Sequence, residues 1–173
     1  MMTGKHIHLS PFDLKHKDKT RAWANDAEAA RLLDRARPVS ELEHDHWFNS
    51  LPQRSDSVYF AIEANEYGKH IGNVWLAAID LRHRKAEIRI QVGESDSQNR
   101  GLGTEAIELI TQYAFTKLNL HKVYAYVLSI NPRARRAFEK AGFILEGTLR
   151  QDRWSENQYI DVFLLGRLRE GNP

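Results

Sequence analysis

The 173-residue sequence contains no cysteine. A disulfide framework, a thiolate-bound metal and a cysteine nucleophile are therefore all excluded. Proline and glycine are also scarce, with 5 and 10 residues, while 42% of the residues are hydrophobic and 28% are charged. This composition is typical of a globular domain with its own core. We expect one domain over residues 1–168 and a loose C-terminal tail over residues 169–173.

Long hydrophobic runs are missing as well, and the N-terminal residues are too polar for a signal peptide. The sequence therefore predicts a cytoplasmic protein that has no membrane partner. An excess of one charge sign is also missing, since 25 basic residues face 23 acidic ones. This balance argues against nucleic acid as a partner, and the slightly basic pI of about 8.9 fits a modest patch for a phosphorylated ligand.

Hydrophobic periodicity predicts the element order β-α-α-β-β-β-α-β-α-β-β. The first half should contain a strand, two helices and an antiparallel meander, at residues 5–10, 18–34, 40–51, 58–64, 71–79 and 85–92. Ser40 and Glu43 form a capping box at the start of the second helix. The second half should alternate helices and strands, at residues 101–118, 122–128, 132–141, 143–149 and 159–167. A polar turn at residues 152–157 should join the last two strands.

The segment Gln-Asn-Arg-Gly-Leu-Gly-Thr, residues 98–104, lies between a predicted strand and a predicted helix. Backbone N–H groups at a helix N-terminus favour an anion, and Gly101 and Gly103 leave room for one. A pyrophosphate is the natural ligand, although a plain glycine-containing turn is the simpler alternative. The dinucleotide fingerprint requires a third glycine where Ala106 stands, and the Walker motif requires a Gly-Lys-Ser/Thr that is absent.

The spacing Gln98-x-x-Gly101-x-Gly103 resembles the Q/R-x-x-G-x-G/A signature of the GCN5-related N-acetyltransferase (GNAT) family. Residues 131–143 resemble the second signature of the family, in which an asparagine opens a helix that ends in Glu-Lys-x-Gly-Phe. Residues 101–106, 114–123 and 146–150 are most similar to the RimJ/RimL-like branch. The resemblance is good over residues 57–168 and weak in the N-terminal third.

This resemblance implies an α/β (α+β) GNAT fold, in which four helices flank a mixed, mostly antiparallel sheet of about seven strands splayed between strands 4 and 5. It also implies acetyl-CoA as co-substrate and no metal. The pantetheine arm should pair with the strand edge, the pyrophosphate should bind the glycine-containing turn, and the helix after Asn131 should contribute further contacts. The implied cofactor-binding residues are Ile90, Gln91, Val92, Gln98, Asn99, Arg100, Gly101, Leu102, Gly103, Thr104, Asn131, Arg136 and Phe138.

Transfer requires a neutral amine, so a base must take the ammonium proton. The resemblance assigns this role to Glu87, whose alternative role is a surface carboxylate paired with a neighbouring arginine. Many relatives place a general-acid tyrosine where this chain has Phe138, so Tyr126 or Tyr124 is the substitute candidate, or solvent. Without cysteine, transfer should be direct, in a ternary complex.

The resemblance implies that the acceptor enters between the first two helices and the last hairpin. Five residues in these regions are candidates for binding it, although the tryptophans have half-buried core positions as their alternative: Trp23, Trp47, Trp154, Tyr159 and Asp161. The expected function is acetylation of a primary amine on a nucleotide-linked aminosugar, a protein N-terminus or a small molecule, by a monomer or homodimer. The alternative is a non-catalytic acyl-CoA-binding or scaffold module.

Overall fold

The computed structural model describes residues 2–35, 37–93 and 101–171. Its strands are β1 (Met2–Thr3), β2 (Ile7–Pro11), β3 (Val58–Ala64), β4 (His70–Asp80), β5 (Lys85–Val92), β6 (Lys122–Leu128), β7 (Ile144–Ser155) and β8 (Gln158–Leu168). Its helices are α1 (Lys17–Ala24), α2 (Ala27–Leu32), α3 (Glu41–Ser50), α4 (Leu102–Thr116) and α5 (Pro132–Lys140). None of the helices within this described part is long and apolar enough to cross a membrane.

One sheet joins the strands in the order β1-β2-β3-β4-β5-β6-β8-β7. Every neighbouring pair is antiparallel except β5 and β6, which are parallel. The mixed, mostly antiparallel α/β fold is therefore confirmed. The described residues contain eight strands rather than about seven, because the short β1 was not expected, and five helices rather than four.

The parallel ladder between β5 and β6 is short, and its last pair joins Glu87 to Tyr124. Beyond this pair β5 continues to Val92 and β6 continues to Leu128 without pairing to each other. These two strands are the fourth and fifth in the sequence-based numbering. The expected splay is thus present, and it opens a gap in the middle of the sheet.

The single helix expected at residues 18–34 is wrong, because the chain forms α1 and α2 with a break at Asn25 and Asp26. Asp26 adopts an extended conformation, and its carboxylate accepts a hydrogen bond from the Ala29 N–H at 2.8 Å. It therefore caps a new helix instead of continuing the first. The predicted capping box at α3 is confirmed, since Ser40 and Glu43 bond reciprocally.

The predicted six-residue turn at residues 152–157 is also wrong. Strand β7 continues to Ser155, and only Glu156 and Asn157 connect it to β8. Both have positive φ angles, of 48° and 63°. This is the backbone pattern of a two-residue type I′ hairpin, whose twist matches that of the strands it joins.

The apolar core lies between α4 and one face of the sheet. Strands β2 to β5 contribute fully buried aliphatic side chains to it, and α4 contributes a stripe at helical spacing. The stripe consists of Ala106, Ile107 and Ile110. The opposite face of the sheet, towards α1 and α3, contains several buried polar groups.

The largest polar cluster on that face surrounds the carboxylate of Glu63, which is buried on β3. It accepts hydrogen bonds from Lys15 Nζ at 2.7 Å and from His16 Nε2 at 3.0 Å, and it contacts His8 Nε2 at 3.0 Å. The other ring nitrogen of His16 accepts from the Asp13 N–H, so Nε2 is left as the donor. Burial raises the pKa of Glu63, but the hydrogen bonds from Lys15 and His16 outweigh burial and hold this pKa at about 2.

We expect Glu63→Gln to lower the free energy of unfolding by roughly 3 kcal/mol at pH 7. The folded pKa lies below the ordinary value of 4.5, so the charged carboxylate stabilises the fold above pH 4.5 and ceases to do so as the pH falls towards 2. Urea titrations at several pH values measure the difference, with the exposed Glu66→Gln as the matched control. A Glu63→Gln protein as stable as the parent at neutral pH would contradict this role.

Candidate active site

A cleft of about 410 Å³ opens where β5 and β6 separate. Its walls come from α1, α2, the end of β5, the start of α4 and α5. Nine residues of the predicted site line it: Trp23, Ile90, Gln91, Val92, Gly101, Gly103, Thr104, Asn131 and Arg136. Three further residues that were predicted to bind the cofactor, Gln98, Asn99 and Arg100, lie outside the described residues. The structure thus brings most of the described, predicted cofactor-binding residues into one cavity.

The open edge of β5 is fixed by hydrogen bonds at both ends of the strand. The Arg84 carbonyl accepts from the Lys122 N–H of β6 at 3.1 Å, whereas the Gly93 N–H donates to the Ile71 carbonyl of β4 at 2.9 Å. Since backbone groups alternate between the two edges, even-numbered residues face β6. The N–H and C=O of Ile90 therefore face the gap, where an extended amide-bearing chain can pair with them.

The first turn of α4 forms the floor of the cleft. Gly101 caps the helix with φ of 78°, a conformation that strains any residue with a side chain. The N–H groups of the first turn that follow have no acceptor inside the helix, and the helix dipole makes this end attractive to anions.

Gly103 differs from Gly101, because neither its backbone conformation nor its packing against the described residues requires a glycine. A Cβ atom built there would lie 3.7 Å from the Val92 side chain and 4.0 Å from that of Ile90, both ordinary contacts. The described residues therefore leave room for a side chain at this position. What the glycine preserves is free space in the cleft beside the N-terminus of α4, which fits a ligand that approaches the backbone closely.

Helix α5 gives the cleft a basic wall. Arg133, Arg136 and Lys140 all line it. Asn131 caps the helix, with its side-chain oxygen accepting from the Ala134 N–H at 3.0 Å. The capping role considered for Asn131 is therefore present, and its amide nitrogen stays available for a ligand in the cleft it lines.

The wall opposite α5 is built around Trp23. Its indole lies directly over Gly93, so closely that a Cβ on Gly93 would fall 2.1 Å from the ring. The Gln91 side chain donates to the Trp23 carbonyl at 3.2 Å. These contacts fix α1 to the end of β5, and Gly93 is a site residue that the sequence reasoning missed.

Glu87 lies at the closed end of the gap, because it belongs to the last pair of the parallel ladder. Its buried carboxylate accepts from Arg89 Nε at 2.8 Å and from Arg89 Nη2 at 2.9 Å. Burial, followed by the charge of Glu87, raises the pKa of Tyr124. The ring of Tyr126 lies 5.8 Å from that of Tyr124 and is half exposed. This cluster adjoins the cleft without lining it, and the roles of Glu87 and Tyr126 stay predictions.

Six predicted residues lie away from the cleft. Leu102 and Phe138 are buried in the core, where Phe138 packs edge-to-face against Phe143. Trp47 belongs to an aromatic cluster with Phe12 and Tyr59. The other three lie on the last hairpin: Trp154 and Tyr159 form an exposed ring pair, and the Asp161 carboxylate accepts from the Gln151 N–H.

Comparisons with known proteins agree with this geometry. A family model described as an acetyltransferase (GNAT) domain matches residues 6–144. Spermidine N(1)-acetyltransferase of Vibrio cholerae is 38% identical over 92 residues, 53% of each chain. The spermidine N(1)-acetyltransferase of Escherichia coli K12 is 37% identical over 100 residues, which cover 58% of this chain and 52% of the relative. The alignments thus span about half the length of these two relatives.

A longer alignment connects the chain to the probable N-acetyltransferase YjcK of Bacillus subtilis, with 37% identity over 179 residues, 94% of this chain and 96% of the relative. Among solved structures, spermidine N-acetyltransferase of Vibrio cholerae in complex with CoA and spermine superposes with a TM-score of 0.86 at 26% identity, covering 94% of this chain and 95% of that one. With the family model matching most of the chain, the protein belongs to the GNAT acetyltransferase family.

Proposed function

We propose that this protein transfers the acetyl group of acetyl-CoA to a primary amine. The observation that carries the proposal is the gap between β5 and β6, which leads to the helix N-terminus kept open by Gly103. In the reaction the amine nitrogen forms a bond to the acetyl carbon as the carbon–sulfur bond breaks. The nitrogen loses a proton, and the departing thiolate gains one.

Donor binding is divided among three parts of the cleft. The backbone of Ile90 pairs with the amide-bearing arm along the open strand edge. The first turn of α4, at Gly103 and Thr104, binds the pyrophosphate through N–H groups. The basic wall of α5 adds charge for the phosphates, since Arg136 and Lys140 both face the cleft.

Proton transfer falls to the cluster at the closed end of the gap. Glu87 receives the ammonium proton, directly or through water, and exchanges one of its two contacts with Arg89 to do so. Phe138 has no hydroxyl group and is buried, so it cannot protonate the leaving thiolate. Tyr126 and Tyr124 are the available donors, and the raised pKa of Tyr124 keeps its hydroxyl protonated at neutral pH.

The choice of acceptor is the finer part of the proposal. Relatives named spermidine acetyltransferases support a small amine. The RimJ/RimL-like branch stays a prediction, and so do a protein N-terminus and a nucleotide-linked aminosugar as acceptors. So do the cytoplasmic location, the single domain over residues 1–168 and the monomeric or homodimeric state. One solved relative from Vibrio cholerae is dodecameric. Sedimentation velocity would determine the oligomeric state of this protein.

A non-catalytic acyl-CoA-binding module is the second candidate. Phe138 in place of a tyrosine, and the occupation of both Glu87 oxygens by Arg89, favour it.

Incubation with acetyl-CoA and an amine panel separates the two candidates. Mass spectrometry should detect an acetylated amine, and a thiol assay should detect an equal amount of CoA. Tight acetyl-CoA binding without turnover on small amines, aminosugars or peptides would establish the binding module instead.

A further inference from the structure

Arg35 lies just after α2, where its N–H donates to the Ala30 carbonyl at 2.9 Å. Its Nη2 has one long contact, 3.4 Å to the side-chain oxygen of Gln91. Its Nη1 is buried and has no hydrogen-bond partner among the described residues. A guanidinium removed from water without a carboxylate is costly, and such groups are normally paired. The buried Nη1 atom of Arg35 can therefore bind an anion, and none of the described residues provides one.

Arg35 adjoins the cleft wall that α1, α2 and the end of β5 form. Gln91, the contact of Arg35, lines the cleft, and so do Leu32 and Leu33, which precede Arg35 in the chain. All three belong to the wall opposite the basic helix α5. A ligand in the cleft can replace the long Gln91 contact with a stronger, charge-assisted hydrogen bond to Arg35.

The two acidic side chains of the same wall, unlike Arg35, have strong hydrogen bonds within the protein. Asp26 caps α2 through the Ala29 N–H, and Glu28 accepts two hydrogen bonds from Arg31, at 2.9 and 3.0 Å. Both carboxylates that line the described cleft are thus engaged. The Arg35 Nη1 group is, by contrast, a buried donor without a hydrogen-bond partner among the described residues, and a carboxylate is the group that pairs most strongly with a guanidinium.

We propose that Arg35 binds a carboxylate of the acceptor, so that the acceptor is an amine that also carries a carboxylate, as an amino acid does. This inference rests on the acetyltransferase function proposed above and specifies its substrate class. Arg35 acts as a specificity-determining residue and takes no part in the bond changes.

Matched acceptor pairs test the inference, because ornithine differs from 1,4-diaminobutane, and lysine from 1,5-diaminopentane, only by a carboxylate. We expect kcat/KM for the amino acids to exceed that for the diamines by about 10-fold or more. Arg35→Met should remove this preference by lowering kcat/KM for the amino acids about 10- to 100-fold. The diamines and the KM for acetyl-CoA should change less than about threefold.

Arg54→Met is the matched control, since Arg54 is exposed and, among the described residues, its guanidinium bonds to the Ser50 hydroxyl at 3.3 Å. Thermal unfolding curves will establish whether both variants are folded. Better turnover of the diamines by the parent protein, or an equal loss on all acceptors in Arg35→Met, would overturn the inference. An increase confined to the KM for acetyl-CoA would do the same, because it would assign Arg35 to the donor.

Calorimetric titration of the CoA-saturated protein separates this inference from the proposed function, because no acetyl group is present to transfer. Binding of ornithine or lysine that is lost in Arg35→Met supports the carboxylate site even if no acceptor is turned over. Absence of binding by both amino acids, while diamines bind, contradicts it even if the enzyme is active.

Discussion

Replacing Gly103 with valine is expected to lower the affinity for acetyl-CoA by about 100-fold while the protein stays folded. The Cβ atom itself meets only ordinary contacts with Val92 and Ile90, so the fold accepts it. The added methyl groups project into the space where a pyrophosphate would approach the start of α4. Isothermal titration with acetyl-CoA measures the loss.

Alanine at the same position makes the prediction sharper, because stability and binding should change in opposite directions. Gly103→Ala should raise the free energy of unfolding by about 0.5–1 kcal/mol, as alanine does in helices, and still weaken acetyl-CoA binding. Gly147→Val is the control, since a Cβ atom at that position on β7 would meet no atom of the described residues within 4 Å. Unchanged acetyl-CoA affinity in a folded Gly103→Val protein would refute the assignment of the cleft.

Glu87→Gln should lower kcat by about 100-fold at neutral pH and leave the KM for acetyl-CoA unchanged. The amide preserves the shape of the side chain but cannot accept the ammonium proton. The defect should shrink as the pH rises towards the pKa of the amine, about 10, because free amine then forms without a base. Steady-state rates between pH 7 and pH 10 test both statements.

Two further variants separate catalysis from structure at this position. Glu108→Gln, on the exposed side of α4, controls for the loss of one negative charge. Arg89→Met frees both Glu87 oxygens and should retain activity if the carboxylate is the functional group. A pH-independent defect in Glu87→Gln, accompanied by an equal loss of thermal stability, would mean that Glu87 only supports the sheet.

Local signals in the sequence located most of the secondary structure. The Ser40–Glu43 capping box and strand β5 are found where alternation and capping preferences placed them. The break between α1 and α2 was missed because Asp26 suits a helix surface as well as a cap, and local sequence does not choose between them. The tight hairpin was missed because the first turn residue is Glu156, whereas a positive φ angle at that position is usually marked by glycine or asparagine.

The residues proposed to bind the donor could be grouped from the sequence, because the strand edge and the glycine-containing helix start that follows it are contiguous in the chain. The residues of the acceptor half could not be grouped in this way. The position of Trp23 over Gly93 and the contact of Arg35 with Gln91 both depend on residues that are distant in the chain. The aromatic residues Trp154 and Tyr159 were placed in the right hairpin, but its turn leaves them exposed and away from the cleft.

Amide hydrogen exchange with and without acetyl-CoA tests most directly the claim that the gap between β5 and β6 and the start of α4 bind the donor. Exchange should slow at Ile90, whose N–H faces the gap, and at Gly103 and Thr104, while the distant exposed strand β7 should be unaffected. Tight acetyl-CoA binding with unchanged exchange at these three residues would contradict the account.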